Sequence, residues 1–211
     1  MSAAAVIVIA KEPRAGHVKT RLTPPFTPLR AAELAAAALA DTLAAVGRAP
    51  AARRVLALDG RPGPWLPPGF EVIPQRSGPL GERLAGAFED VGGPAFLVGM
   101  DTPQLTADLI SLGLGELERD DVNAVLGPAL DGGYWAIGLR RADPRVFEGV
   151  PMSSAATVAA QRRRFAELGL CWRELAELRD VDTAADAAAV ARLAPRSRFA
   201  AELRRRPALA A

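Results

Sequence analysis

The chain opens on a continuous β-branched run, Val6-Ile7-Val8-Ile9. Such a run suits a strand buried on both faces, as in a parallel sheet. The period then changes. Residues 30–46 read as one long helix, with Pro28 able to start it and Gly47 able to end it. Residues 54–58 form a second strand and residues 70–73 a short third, fenced by Gly69 and Pro74. Residues 80–91 are helical. Residues 95–98 form another buried strand that runs into Gly99-Met100-Asp101. The next helix starts from Thr106, which can cap it, with Asp108 in the first turn. Strand and helix therefore alternate through the first 120 residues or so, which predicts an α/β fold. Its mostly parallel central sheet would carry helices on both faces.

The alternation loosens further on. Residues 123–126 and 134–137 are strands, joined by residues 127–133 as a hairpin or a longer excursion. A helix over residues 153–168 follows, then a short strand near residues 172–175. Asp182-Thr183 precedes a last alanine-rich helix. Residues 61–68 are a proline-rich loop rather than a domain linker, and there is no internal repeat. The alanine runs reflect helix propensity. In open α/β sheets, ligands bind outside the carboxyl ends of the strands. Two distinctive loops lie at such ends: the turn after the first strand, and Gly99-Met100-Asp101-Thr102-Pro103.

Composition narrows the reading by exclusion. At 211 residues, half of them hydrophobic, the chain can bury a sizeable core as one large domain or one domain with an appendage. Lys+Arg 26 against Asp+Glu 24 leaves a net charge of +2, which does not argue for a nucleic-acid partner. Arg162, Arg163 and Arg164, and Arg204, Arg205 and Arg206, read as solvated helix faces. One cysteine excludes an internal disulfide, and one cysteine with one histidine argues against a Cys/His zinc site. Cys171 sits between Leu170 and Trp172 and reads as a buried structural thiol. His17 is remote from any nucleophile elbow, so a Ser-His-Asp triad is not expected. The first apolar run is short, lacks a basic start and ends at Lys11, unlike a signal peptide. No stretch is long enough to span a bilayer. The expectation is a cytoplasmic, soluble protein with no membrane and no nucleic-acid partner.

Four stretches can carry chemistry. The first turn gathers Lys11, Arg14, Lys19 and Arg21 around Gly16. Mutual repulsion disfavours that arrangement unless something negative sits among them. Gly16 allows close backbone approach, the following helix offers free N–H groups, and Lys19 and Arg21 are cationic donors. The turn reads as a phosphate cradle or, more plainly, as a solvated basic loop. It lacks the spacing of a Walker loop. Asp101 emerges from a buried strand, where a carboxylate can hold Mg²⁺ or Mn²⁺ or simply close an Asx turn. In Asp131-Gly132-Gly133-Tyr134, the glycines permit close approach to a ligand. Asp131 can accept from a hydroxyl and Tyr134 can stack, although Asp-Gly is also a common turn signal. Asp182 is either a helix cap or a second metal carboxylate.

The stretch Lys11-Glu12-Pro13-Arg14-Ala15-Gly16-His17-Val18-Lys19-Thr20-Arg21-Leu22 resembles the KxPxxGxVKTRL signature of DUF2064. That bacterial family is also called radical-SAM/selenodomain-associated transferase 1, and its members are described as arsenosugar-biosynthesis glycosyltransferases. Further matches are Gln75 with Gly78-Pro79-Leu80-Gly81-Glu82-Arg83-Leu84, then Gly99-Met100-Asp101-Thr102-Pro103, Gly127-Pro128-Ala129-Leu130-Asp131-Gly132-Gly133-Tyr134 and Asp180-Val181-Asp182-Thr183. The resemblance runs over about residues 6–186. It implies a Rossmann-like GT-A fold, a nucleotide-diphospho-sugar transferase. The whole chain, 1–211, would be a single such domain, with a nucleotide-binding part over about 1–120, an acceptor-side part over about 121–190 and a C-terminal helix to 211.

It also implies site roles. Asp101 becomes the aspartate of a reduced DxD-like metal site. Pro103 stands at the second acidic position, so another carboxylate must serve, with Asp182 as candidate. Lys11, Arg14, Gly16, Lys19 and Arg21 map to the nucleotide-phosphate loop. Asp131, Gly132, Gly133 and Tyr134 map to the sugar or acceptor side, and Ser153 and Ser154 have no assigned role. The expected activity is metal-dependent glycosyl transfer from a nucleotide-diphospho-sugar to a small-molecule acceptor, with Asp131 as base and Mg²⁺ or Mn²⁺ as cofactor. The same turn resembles the 2-phospholactate guanylyltransferases, which release pyrophosphate from a nucleoside triphosphate. A non-catalytic nucleotide-binding protein of the same fold is the third reading. A homo-oligomer is compatible with all three.

Overall fold

A computed structural model of the chain describes residues 4–205. The expected C-terminal helix beyond residue 205, and Arg206, lie outside the described residues. Among the described residues, seven strands form one sheet in the order β3-β2-β1-β4-β6-β5-β7. They are β1 (Ala5–Lys11), β2 (Arg53–Asp59), β3 (Glu71–Pro74), β4 (Ala95–Gly99), β5 (Ala124–Pro128), β6 (Tyr134–Leu139) and β7 (Trp172–Glu174). Of these, β6 alone runs antiparallel to its neighbours, pairing with β4 on one side and β5 on the other. All other pairings are parallel. The β5–β6 connection is thus a direct antiparallel return.

The β-branched runs behave as expected of central strands, with successive side chains entering opposite layers. Val6 and Val8 of β1 pack with Val98 of β4, with Leu39 and Leu43 of helix α1 (Pro28–Arg48), and with Ile110 and Leu114 of helix α3 (Ala107–Glu118). The alternate residues Ile7 and Leu97 face the other layer. There they meet Leu84 and Phe88 of helix α2 (Leu80–Val91) and Phe165 of helix α4 (Thr157–Glu167). A third cluster joins Leu34 and Ala38 of α1 to Val190 of α5 (Ala184–Leu193) and Phe199 of α6 (Arg198–Arg205).

Several expectations change at element ends. Helix α1 begins after an N-cap at Thr27, whose hydroxyl accepts from the Arg30 amide, and it passes through Gly47 to Arg48. Gly47 is therefore the penultimate helical residue, and the helix ends one residue beyond it. Helix α4 starts at Thr157, not 153. Ser153 is left-handed at φ 54°, and the Ser154 hydroxyl accepts from the Ala156 amide, so residues 153–156 form a turn. The C-terminal alanine-rich region is two helices, α5 and α6. Cys171 is exposed rather than buried: it precedes an edge strand, and its backbone pairs with Asn123 and Ala124. Arg162 and Arg164 lie on the solvent side of α4 and pair with Glu174, Glu148 and Glu167. No helix among the described residues is long and apolar enough to cross a membrane.

The order β3-β2-β1-β4 places the candidate ligand-binding edge of the sheet. The chain fills the sheet in one direction from β1 and then returns to place β4 on the other side. Crevices in doubly wound sheets open where strand order reverses. Here that point lies between β1 and β4, and residues 11 and 101 flank it.

Two glycines of α3 test the packing under β4. A Cβ on Gly113 would sit 2.6 Å from the Phe96 ring, whereas one on Gly115 meets nothing. Gly113→Ala should destabilise by about 1–3 kcal/mol through overpacking. Gly115→Ala should be neutral or stabilise by up to about 1 kcal/mol through helix propensity. Urea unfolding of both variants checks the pair, and equal effects would contradict this packing.

Candidate active site

The basic turn is held by its apolar members. Val18 packs against Ala32 and Ala35 of α1, and Leu22 is fully buried against Phe26, Leu34 and Val181. Four-residue spacing puts both anchors on the α1 side. Lys19 and Arg21, between and beside them, turn toward the end of the sheet. Lys19 adopts a left-handed backbone, φ 47° and ψ 40°, which is uncommon outside glycine, and a 3-10 turn (Thr20–Leu22) follows it. The expectation that the following helix offers its free N–H groups to this turn fails. Residues 23–27 intervene, Thr27 caps α1, and the start of that helix does not line the cavity at the sheet end.

The negative partners of the turn belong to the chain itself. Lys19 Nζ donates to Asp101 Oδ2 at 2.7 Å and to Asp182 Oδ1 at 3.0 Å, with its side chain 11% exposed. Arg21 Nη1 donates to Asp182 Oδ2 at 2.9 Å. Both oxygens of Asp182 are thus engaged by cations. Asp182 is not the cap of α5 either. Thr183 is, in a reciprocal capping box with Asp186. Arg14 is drawn to His17, with Nη2 2.9 Å from Nε2, and Lys11 makes no ion pair among the described residues. The charge conflict of the opening turn is therefore relieved internally at Lys19 and Arg21 and left open at Lys11.

Residues 179–182 reach the site because they are laced onto the end of β4. The Val181 amide donates to the Asp101 carbonyl at 3.1 Å, and Gln104 Nε2 donates to the Arg179 carbonyl at 2.6 Å. The buried Thr102 hydroxyl donates to Asp180 Oδ1 at 2.9 Å. Val181 buries itself in the α1–α5–α6 cluster, so the aspartates on either side of it face the sheet end.

These groups line a cavity of about 430 Å³ at the carboxyl ends of β1 and β4, within the range of small-ligand sites. Four cations, Lys11, Lys19, Arg21 and Arg83, and four carboxylates, Asp101, Asp131, Asp180 and Asp182, share its wall. Their balance is uneven. Burial works against the Asp182 carboxylate, but Lys19 and Arg21 outweigh it and hold the group below the usual carboxylate range. Lys19 likewise loses hydration, yet Asp101 and Asp182 hold its ammonium above the ordinary lysine value. Asp180 is the opposite case. Burial, then the charge of Asp101 and a smaller contribution from Asp131, push its carboxyl up to about 8 despite the Thr102 hydroxyl. A perturbed carboxyl in a cleft makes Asp180 a candidate functional group.

Other expected site residues divide. Gly133 and Tyr134 line the cavity, while Arg14, Gly16 and Gly132 do not. Gly16 is left-handed at φ 78° with open space around it, so its role is to turn the chain. Gly132, at φ 87°, lies so close to the Ala155 backbone that a Cβ would sit 2.2 Å from its carbonyl oxygen. The space expected for a ligand is filled by the chain. Asp131 Oδ1 accepts from the Gly133 amide at 2.8 Å, which is an Asx turn. It also faces the cavity. Burial raises the Tyr134 phenol, whose oxygen lies 3.6 Å from Met152 Sδ in an apolar wall with Leu80, Leu84 and Leu97. Ser153 lines the same cavity, and Ser154 serves the turn before α4.

Two further residues of the motifs gain roles that the sequence does not announce. Gln75 Nε2 donates to the carbonyls of Ala10 and Ala57, at the ends of β1 and β2, and its Oε1 accepts from Arg83 Nη1 at 2.8 Å. Gln75 thereby fixes Arg83, whose Nε is buried without a hydrogen-bond partner among the described residues. Asp180 is the other. Its i, i+2 spacing to Asp182 is the only signal along the chain, and it does not say which of the two pairs with lysine.

The donor set is hard oxygen, suited to Mg²⁺ or Mn²⁺. Among the described residues, no group of three His, Cys, Asp or Glu side chains is arranged to hold a metal ion. Asp101 and Asp180 line the same cavity, and two carboxylates are compatible in chemistry with a cation that takes its remaining ligands from phosphates and water, as Mg²⁺ commonly does.

This fold is GT-A-like, shared with nucleotide-diphospho-sugar transferases and nucleotidyltransferases. A "putative nucleotide-diphospho-sugar transferase from Desulfovibrio desulfuricans G20" superposes with a TM-score of 0.86 at 29% identity, covering 97% of this chain and 95% of that one. CMP:2-keto-3-deoxy-manno-octonic acid synthetase complexed with CTP gives 0.60 at 14% identity, over 92% and 99% of the two chains. The 2-C-methyl-D-erythritol 4-phosphate cytidylyltransferase of Thermus thermophilus gives 0.54 at 16%, over 92% and 100%. The latter two share the fold alone. No curated protein matches the chain. The chain belongs to the family described as "Uncharacterized protein conserved in bacteria (DUF2064)", whose model matches residues 32–154.

The Asp180 shift carries a sign that can be measured. A carboxyl whose folded pKa lies above its unfolded value of about 3.8 stabilises the fold while protonated. That contribution is complete below about pH 4 and disappears as pH rises through about 8. Without divalent cations, wild-type stability should therefore fall relative to Asp180→Asn across that window and level off above it. Urea unfolding at intervals of pH measures this, and a constant difference would contradict the assignment.

Proposed function

We propose that the chain is a metal-dependent glycosyltransferase that uses a nucleotide-diphospho-sugar donor and a small-molecule acceptor. The observation that carries this reading is the shared cavity at the β1–β4 switch point, where cations suited to a diphosphate face carboxylates suited to a divalent ion. Membership of DUF2064 and the 29% identical relative support a transferase.

Lys11 and Arg21 are the groups for the diphosphate. Lys11 has no competing ion-pair partner among the described residues, and Arg21 is 66% exposed at the cavity edge while Asp182 holds one arm of its fork. Arg83, fixed by Gln75, gives a further donor on the cavity wall. Asp101 and Asp180 would hold Mg²⁺ or Mn²⁺, with Asp182 serving to fix Lys19 and Arg21 rather than as a ligand. When bound, such a cation would supply positive charge to the diphosphate leaving group. Asp131 keeps Oδ2 free of the turn contact and is the base that accepts the proton of the acceptor hydroxyl. The Tyr134–Met152 wall keeps water from that side of the cavity.

Incubation with a panel of nucleotide sugars and Mn²⁺ should release nucleoside diphosphate. Asp101→Ala should lower kcat/KM by at least about a hundredfold. Pyrophosphate release from a nucleoside triphosphate would instead assign nucleotidyl transfer. Metal-dependent nucleotide binding without turnover for any donor would leave a binding protein.

A further inference from the structure

Lys19 is unusual for a residue in a phosphate-binding turn, because its ammonium already has two anionic partners. It is nearly buried, and it bridges Asp101 and Asp182, carried by elements 82 and 163 residues away in sequence. Its left-handed backbone is the conformation that brings it there. The bond to Asp101 uses Oδ2, on the very carboxylate that the transferase reading gives to the divalent ion. Asp182 offers the ammonium a second anchor, so Lys19 can release Asp101 without losing its only partner.

We propose that Lys19 is a placeholder for the divalent cation, occupying Asp101 in the nucleotide-free protein and yielding it when metal and nucleotide arrive together. The inference rests on the transferase reading for the identity of the site, but it concerns the order of binding. A metal ion alone must displace a charge-assisted hydrogen bond and then sit close to an ammonium. A metal ion with a nucleoside diphosphate brings phosphate oxygens that can accept the released ammonium. Metal alone therefore binds weakly, and metal with nucleotide binds strongly. Lys19 is a positioning residue that couples the two. The apparent affinity for metal alone is lowered by the fraction of protein in which Asp101 is free.

The test is a Mn²⁺ titration without nucleotide, read by the EPR signal of free aqueous Mn²⁺. Lys19→Met should bind Mn²⁺ about tenfold or more tightly than wild type, as expected if Asp101 is free in about a tenth of molecules or fewer. Lys19→Gln should act in the same direction and retains a donor for Asp182, which guards against a variant that fails to fold. Arg21→Gln removes an equal charge beside Asp182 without touching Asp101, and should change the affinity by less than about threefold. Adding uridine, cytidine or guanosine diphosphate should raise Mn²⁺ affinity more in wild type than in Lys19→Met. Lys19 variants that bind Mn²⁺ no more tightly than wild type, or Arg21→Gln matching their gain, would overturn the proposal. Nucleoside diphosphate release does not enter this titration. Turnover by wild type without a Lys19 effect sinks the placeholder alone, and the Lys19 effect without turnover sinks the transferase reading alone.

Discussion

The arrangement of this site depends on one ion-pair bridge, the Lys19 ammonium between Asp101 and Asp182. It joins the turn after β1, the end of β4 and the segment before α5. A nearly buried charge left unpaired costs several kcal/mol, so the three segments are constrained to meet. Arg21 extends the bridge by taking the second oxygen of Asp182. What first looks like a knot of repelling cations is half of a charge lattice whose other half lies far away in sequence. The lattice is incomplete on both sides. Lys11 has no ion-pair partner among the described residues, and Asp180 is pushed toward its neutral form by its surroundings. An anion and a cation arriving together would complete both halves.

The sheet supplies the frame for that bridge. β1 and β4 lie side by side, with Lys11 and Asp101 at their carboxyl ends, because strand order reverses there. Their hydrogen-bonded register leaves little freedom for the loops above them. The Lys11 amide even reaches Met100 Sδ across the gap. On the far wall, Gln75 ties the ends of β1 and β2 together through two carbonyls and offers its remaining oxygen to Arg83. Rigid strands thus hold the polar groups, while the less regular segments 153–157 and 179–182 close the cavity from the side.

Much of the fold is legible along the chain. The β-branched runs, the helix periods and the Thr106 cap all read correctly because each depends on local pattern. Errors fall at element ends and edges, where local pattern specifies little. Gly47 stays helical, and Cys171 is exposed although its flanking residues are apolar. At Gly132 a distant neighbour decides instead. Its missing side chain suggests room for a ligand, but the Ala155 backbone fills that room. Nothing in the spacing of Asp-Gly-Gly distinguishes those two uses of a missing side chain.

By itself the sequence determined the alternating α/β layers, the two loops at strand ends, and the family, because hydrophobic period and ordered motifs are properties of the linear chain. Only the tertiary structure decided which charges meet. Asp180 and Asp182 are two residues apart and chemically identical, yet one is held ionised by Lys19 and Arg21 while the other faces Asp101 and Asp131. Coulomb energy depends on distance and burial in three dimensions, and neither is written in the spacing of residues. The opening turn declared its positive charge, but the fold alone assigned Lys19 its partners.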